Sequence, residues 1–334
     1  MAATMTTSMT RRLSICAVGA ALALPLIAAG GAVAQDNYPN RPVRLVVGAG
    51  PGGNPDVLGR LLADRLSRSL GQPFVVENMP GAGGMVAANS VGKAAPDGYT
   101  LMLGDSGALA INPVIAPKLN YAVEDFAPIT ALATVPTVFL ANPSVKAETL
   151  PEFIALAKKQ PGKLTYGSAG PGSIHHLTMA IFADEAGIDL LHVPYRGGTA
   201  MVQGLMAGEI QTAWSGIPNV IPLIEAGKLR AYCVSILERS KSLPKVPTCD
   251  EVGQKGFDVA TMIGLQAPAG TPQAIIDRLQ QAAAKAVRDP EMAKRMEQLG
   301  MVVQENGNAH YVEFIKEDLA RYGEAAKRLG LKIE

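Results

Sequence analysis

"VVGAGPGGNPDV", residues 46–57, is the stretch on which the fold turns. Gly48, Gly50 and Gly53 spell G-x-G-x-x-G after a short apolar run and ahead of a helical pattern, the outline of a dinucleotide-binding turn. Glu77 closes the next apolar run, about where a ribose-binding acid would sit. The same turn also suits a smaller anion, because unpaired N–H groups and the positive end of a helix dipole gather there.

Upstream, "RPVRLVV" (41–47) reads as a buried strand. Downstream, "PDVLGRLLADRLSRSLG" (55–71) reads as a helix: Pro55 suits a helix start, Val57, Leu58, Leu61, Leu62 and Leu66 recur at helical spacing, and Gly71 ends it. "PFVVEN" is a second strand, "GGMVAANSVGKAA" a helix stopped by Pro96-Asp97-Gly98, and "YTLMLGD" a third strand. The alternation resumes in "KLTYGSA", a helix over about 174–186, "DLLHVPY", helix "TAMVQGLMAG", strand "IQTAWSG", helix "IPNVIPLIEAG" and strand "LRAYCVS". Strand-helix alternation predicts an α/β fold of parallel-rich sheets flanked by helices.

"LATVPTVFLANPS" (132–144) is long and apolar enough to cross between two lobes, and "ATMIGLQAPAG" (260–270) leads back. The closing helices are expected on the first lobe. The expected layout is a discontinuous first lobe, 36–138 with 265–334, and a second lobe, 139–264. A ligand then sits between lobes, at the carboxyl ends of the strands.

Arg11 and Arg12, the apolar run "LSICAVGAALALPLIAAGGAVA" and its A-x-A close read as a signal peptide over 1–34, cleaved after Ala34. The alternative is a retained membrane anchor. Export to the periplasm weakens the dinucleotide reading, since free dinucleotide is scarce there. With 35 glycines and 24 prolines the motif also arises readily by chance. The formal net charge of +1, with both signs interspersed, excludes the basic footprint of a nucleic-acid binder. Beyond the leader the cysteines are Cys233 and Cys249. Cys233 lies in an apolar strand and is expected buried, and whether the two pair is left open.

Three loops share one chemistry: "GAGPGGN" (48–54), "MPGAGG" (79–84) and "GSAGPGS" (167–173). Each is glycine-rich and precedes a helix, so a carboxylate is the natural guest. The alternative is that they are ordinary strand-to-helix turns.

At these motifs the chain resembles the periplasmic solute receptors of tripartite tricarboxylate transporters, the Bug family. The matching pieces include "YPNRPVRLVV", "GPGGNPDVLGRLLADRL", "GQPFVVENMPGAGG", "AAPDGYTLMLGDSG", "LTYGSAGPGS", "HVPYRGG" and "GLQAPAGTP", in family order across the mature chain. The resemblance implies a two-lobed type II periplasmic-binding fold. It further implies capture of a small organic acid for membrane permease subunits, by a monomer without cofactor, metal or covalent chemistry. It places one ligand carboxylate on Gly50, Pro51, Gly52, Gly53 and Asn54, partly through ordered water. It assigns the second lobe's contribution to Ser168, Ala169, Gly170 and Ser173, and a further lining position to Ser106. His176 falls on the family's "HL" position and His175 on a variable neighbour.

The enzyme alternative is a secreted Ser/His hydrolase, or another enzyme acting on a small carboxylate. Tyr166 stands where a G-x-S-x-G elbow requires glycine, and although Ser168 and His176 can meet across a turn, no acid is placed by sequence to orient the base. His175 and His176 are adjacent and diverge on a helix, which disfavours a metal.

For the ligand's other end, "AWSG" (213–216) stands where amino-acid-binding relatives carry a segment like "MFDN". Ser215 suits a hydroxyl, carbonyl or second carboxylate, and a buried ammonium would lack its counter-charge. Trp214 is either core or a wall flanking a flat ring. The expected ligand is an aromatic carboxylate or a dicarboxylate. The bland alternative is that Ser215 merely ends its strand.

Overall fold

The structure is a computed structural model that describes residues 37–116, 118–304 and 307–331. The expected leader and its cleavage point lie outside the described residues.

Strand β1 (Val43–Val47) lies between β2 (Phe74–Asn78) and β3 (Thr100–Asp105), parallel to both. Helix α1 (Asn54–Leu70) connects β1 to β2, and α2 (Met85–Gly92) connects β2 to β3. The helical spacing read from sequence is the buried face of α1, where Leu58, Leu62 and Leu66 are fully buried, about 2 kcal/mol each. Gly59 brings α1 against the sheet: a Cβ there would meet Val47 and Leu103 at 3.2 and 3.3 Å.

After β3 the chain makes a single π-helical stretch, Gly107–Ile111, and a short helix α3 (Asn112–Ile115). Strand β4 (Phe126–Ala141) follows. Its 16 residues reach roughly 50 Å at about 3.3 Å each, and they link two sheets. Phe126–Pro136 pair antiparallel with β9 (Ala260–Pro268), which in turn pairs with β3. Thr137–Ala141 pair with β7 (Thr212–Gly216), and Val138–Ala141 also with β8 (Arg230–Val234). Beyond β7 come the parallel strands β5 (Thr165–Ser168) and β6 (Leu191–Pro194). The expected parallel pairing therefore holds within each sheet, and antiparallel pairing appears where β4 and β9 run. Irregular register between Pro128 and Thr130 and between Ala131 and Ala133 bends β4 on its way.

Both crossing segments are fastened at one point. Ser235 Oγ accepts from Thr137 N–H on β4 at 3.0 Å and donates to the Val259 carbonyl just before β9. Val259 N–H donates to the Ser235 carbonyl at 2.7 Å.

In the second sheet, strand alternation splits the core. Phe139 and Trp214 face one layer with Phe153, Phe182, Tyr232 and Phe257. Val138, Leu140 and Ala213 face the other, with Met201 and Leu205. Helix α4 (Leu150–Lys159), absent from the sequence reading, brings Phe153 to the first layer. Helices α5 (Ile174–Ala186), α6 (Gly198–Ala207) and α7 (Ile221–Glu225) match the expected segments. The closing helices are α8 (Gln273–Val287), α9 (Pro290–Gln298) and α10 (Gly307–Leu329). α10 packs on β4 and against α3 and contributes to both sheets' cores: Tyr311 and Ile315 join the first, Tyr322 and Ala326 the second. Cys233 and Cys249 are fully buried and joined as a disulfide. This decides the pairing that the sequence left open; closing a 16-residue separation is worth about 3 kcal/mol. Among the described residues no helix is long and apolar enough to cross a membrane.

Candidate functional site

The first glycine loop follows β1 and enters α1 with Gly53 as the N-cap. Gly52 has φ +78°, a left-handed conformation that favours glycine. The loop is held by a residue that sequence reasoning passed over. Asp56 is 3 % exposed; its Oδ2 accepts from Gly52 N–H at 2.8 Å and its Oδ1 from Asn78 Nδ2 at 2.9 Å. Arg60, one turn on, pairs with it at 2.9 Å. Burial alone would raise the Asp56 pKa, but the bonds from Arg60, Gly52 and Asn78 and the Arg60 charge hold it below the usual range. Its signal in the sequence was an acid in the first turn of a helix after a glycine loop.

This changes which N–H groups are available. Gly52 N–H is taken by Asp56 and Gly53 N–H by the Gly50 carbonyl at 3.1 Å. Among the described residues, the Gly50 and Asn54 N–H groups have no such partner. A Cβ added at Gly50 would meet nothing within 4 Å, so space opens beside the loop there.

The second loop runs through four left-handed residues, Gly81, Ala82, Gly83 and Gly84, with φ from 46° at Ala82 to 137° at Gly81. Asn112 Nδ2 steadies it by donating to the Gly83 carbonyl at 2.8 Å. A Cβ at Gly83 would stand 2.8 Å from the Gly172 carbonyl, so the second loop touches the third.

The third loop is built on serines. Ser168 Oγ accepts from Gly170 N–H at 3.1 Å, and Ser173 Oγ donates to the Gly170 carbonyl at 2.6 Å. Ser173 is the N-cap of α5. Ala169 lies between them, half-buried. Ser168 Oγ lies 2.7 Å from His192 Nε2, so its histidine partner is His192 on β6 rather than His176. The His176 ring stacks on His192 at 4.3 Å, and the Tyr166 ring lies 4.8 Å from His192 and 6.5 Å from His176, nearly parallel to both. Burial, with the neighbouring His176, pushes His192 down to about 4. Burial also lowers His176, and it pushes His175 down to about 4.

The loops converge from both sheets. The Asn54 side chain, at the end of the first loop, lies against Gly216 at the end of β7. A Cβ at Gly52 would come within 4.0 Å of Thr199 Oγ1 in the first turn of α6. His175 lies against Gly198, with ring atoms 3.7 and 3.9 Å from where its Cβ would be. Among the buried polar atoms that have no partner within the described residues, Asn54 Oδ1, Asn112 Oδ1, His175 Nδ1 and His176 Nδ1 lie on or beside these loops.

The other residues expected at the site have packing partners of their own. Trp214 is fully buried, stacked on Phe139 at 5.0 Å and on Phe257 at 5.4 Å, which makes it core. Ser215 is also fully buried, and among the described residues its hydroxyl meets only the adjacent Gly216 carbonyl, at 3.5 Å. Ser106 is turned toward β9 and α10: its Oγ accepts from Met262 N–H at 3.2 Å and bonds Asp318. Burial raises the Asp318 pKa to about 6 against the opposing Arg321 pair. A separate surface groove of about 540 Å³ between α1 and α9 is lined by Arg65, Arg68, Glu291 and Arg295 and holds none of these residues.

The family model described as the tripartite tricarboxylate transporter family receptor matches residues 58–331. Protein BugT of Bordetella pertussis is 33 % identical over 98 % of this chain and 100 % of its own. Two solved structures are similar over most of their length. One is an R. palustris protein with adipate, 31 % identical with a TM-score of 0.85, over 88 % of this chain and 99 % of that one. The other is MatC from Rhodopseudomonas palustris with bound malate, 32 % identical with a TM-score of 0.82, over 86 % and 99 %.

Proposed function

The chain belongs to the tripartite tricarboxylate transporter receptor family, and from that premise we propose that it is a periplasmic receptor that captures a small dicarboxylate. The observation that carries this reading is the convergence of three glycine-rich helix starts on one place, with N–H groups at Gly50 and Asn54 and polar atoms around them that have no partner among the described residues. Such a place suits an anion with a polar far end. One ligand carboxylate docks on the first loop, and the third loop closes on it from the second sheet. Two-lobed organisation, with β4 and β9 as the hinge, lets the loops open and close on the ligand.

Two observations favour a dicarboxylate over an aromatic acid. Trp214, the ring offered to flank an aromatic ligand, is packed in the core. The neighbours' ligands, adipate and malate, are both dicarboxylates. Delivery is to the membrane subunits of a tripartite transporter, and the receptor acts as a monomer after leader cleavage.

The chemistry of Ser168 and His192 supports binding rather than hydrolysis. The 2.7 Å contact resembles a nucleophile-base pair. A base held near 4 removes a serine proton poorly at neutral pH, and Ser168 is fully buried. Among the described residues no carboxylate bonds to His192. The pair fixes the third loop.

Isothermal calorimetry of the purified mature protein with adipate, malate, benzoate and glutamate tests the reading. Saturable binding of a diacid without turnover is expected. Binding of benzoate alone, binding of the amino-bearing glutamate but of neither adipate nor malate, or hydrolysis of a serine-directed ester probe overturns it.

A further inference from the structure

We propose that His175 reads the far end of the ligand and sets the preference for a diacid over a monoacid. The inference rests on the carboxylate reading above. Ser215, which the sequence offered for that end, is buried within β7 and, among the described residues, bonded only to its own neighbour's carbonyl. His175 stands in the first turn of α5, between the start of that helix and the start of α6, where its ring lies against Gly198. Thr199, the next residue, faces Gly52 of the first loop. The ring therefore stands on the second-sheet side of the same junction whose first-sheet side carries the Gly50 and Asn54 N–H groups. Its Nδ1 is buried and meets no donor or acceptor among the described residues.

The other two histidines of the site make ring or hydroxyl contacts that His175 lacks, although His176 Nδ1 is likewise unpartnered among the described residues. His192 Nε2 is bonded to Ser168, and His176 is stacked on His192. His175 has no ring stacked on it among the described aromatic contacts. Burial pushes its pKa down, which keeps it neutral at physiological pH. A neutral imidazole gives one N–H donor to a carboxylate or hydroxyl. Leaving that nitrogen unpaired opposite a methyl end is costly, which turns it into a discriminator between a diacid and a monoacid of equal length.

The test compares adipate with hexanoate by calorimetry on wild type, His175→Phe and His175→Asn. Phe keeps the ring and removes both nitrogens; Asn places an amide near the Nδ1 position. In His175→Phe, adipate is expected to weaken about tenfold or more while hexanoate stays within about twofold. His175→Asn is expected to restore most of the adipate affinity. If His175→Phe lacks a cooperative melt, His175→Ala serves for the same comparison. Wild-type binding of adipate with no change in the variants, or equal losses for adipate and hexanoate, overturns the role of His175 alone. A wild type that binds no carboxylate overturns the carboxylate reading and this inference with it.

Discussion

The first and third glycine loops share a signature, glycines ahead of a helix, but they are held in opposite ways. The first is clamped by a charge: the buried Asp56 carboxylate takes Gly52 N–H and Asn78 and is balanced by Arg60. The third is clamped by neutral groups: the Ser168 and Ser173 hydroxyls tie down Gly170, and a stack of uncharged imidazoles backs them. The difference follows from what surrounds each loop. Arg60 is exposed enough to hydrate and balance a carboxylate, whereas the third loop sits on β5 and β6 among Tyr166, His176 and His192. In the first loop the Gly52 and Gly53 N–H groups are spent within the loop itself, whereas in the third loop side-chain hydroxyls do the holding.

Removing the charged clamp has the largest expected effect on stability. Asp56→Ala leaves Gly52 N–H and Asn78 without their acceptor, at about 2 kcal/mol. That lowers the melting temperature by about 5 °C and weakens carboxylate binding, as calorimetry would read. An unchanged melting temperature would mean that the loop holds itself.

Acidification separates the two clamps next. Asp56 has a depressed folded pKa, so its contribution is present above the unfolded carboxylate value near 4 and fades below it. His192 is also depressed, from 6.5 to about 4, so the unfolded chain takes up its proton first. Its contribution is full above 6.5 and is lost as pH falls from 6.5 toward 4. Between pH 6.5 and 4.5 stability should drop through His192 together with the likewise depressed His175 and His176, while the first loop holds. In melts across that range His192→Asn should make the decline shallower without abolishing it; an unaltered slope would assign it to other groups.

The smallest effect on the fold is expected at Gly50→Ala. No atom stands within 4 Å of the added Cβ, and Gly50 has no left-handed φ, so stability should change by under about 0.5 kcal/mol. Affinity should nevertheless fall about tenfold, because the methyl enters the guest's space. Equal affinity would move the carboxylate away from this loop.

Much of the fold was legible because its signals are local. The Leu58, Leu62 and Leu66 spacing and the Gly71 stop fixed α1, and α5 falls over Ile174–Ala186 as expected. β4 was legible only from its second half, since its opening "FAPITA" is recognisable as strand only through its pairing with β9. α4 was missed although Thr149 and Glu152 form a start signal: Thr149 Oγ1 accepts from Glu152 N–H, and Glu152 accepts from Glu148 N–H. At the site, the glycine loops were readable from composition. Which N–H groups are spent was not, because that depends on Asp56 folding back over Gly52. The sequence offered only His176 as able to meet Ser168, and His192 went unseen because it is 24 residues away and arrives through strand pairing. Trp214 and Ser215 were ambiguous because one strand end serves both core and rim, and only the packing of Phe139 and Phe257 assigns Trp214 to the core.

The central claim, that a diacid bridges the first loop and the third, is tested most directly by backbone amide NMR of the mature protein titrated with adipate. The account predicts saturating shifts at the Gly50 and Asn54 amides and at the His175 ring, with the Gly52 and Gly53 amides, already bonded within the loop, moving least. Saturable binding that leaves Gly50, Asn54 and His175 unmoved, with shifts gathered in another part of the molecule, would contradict it.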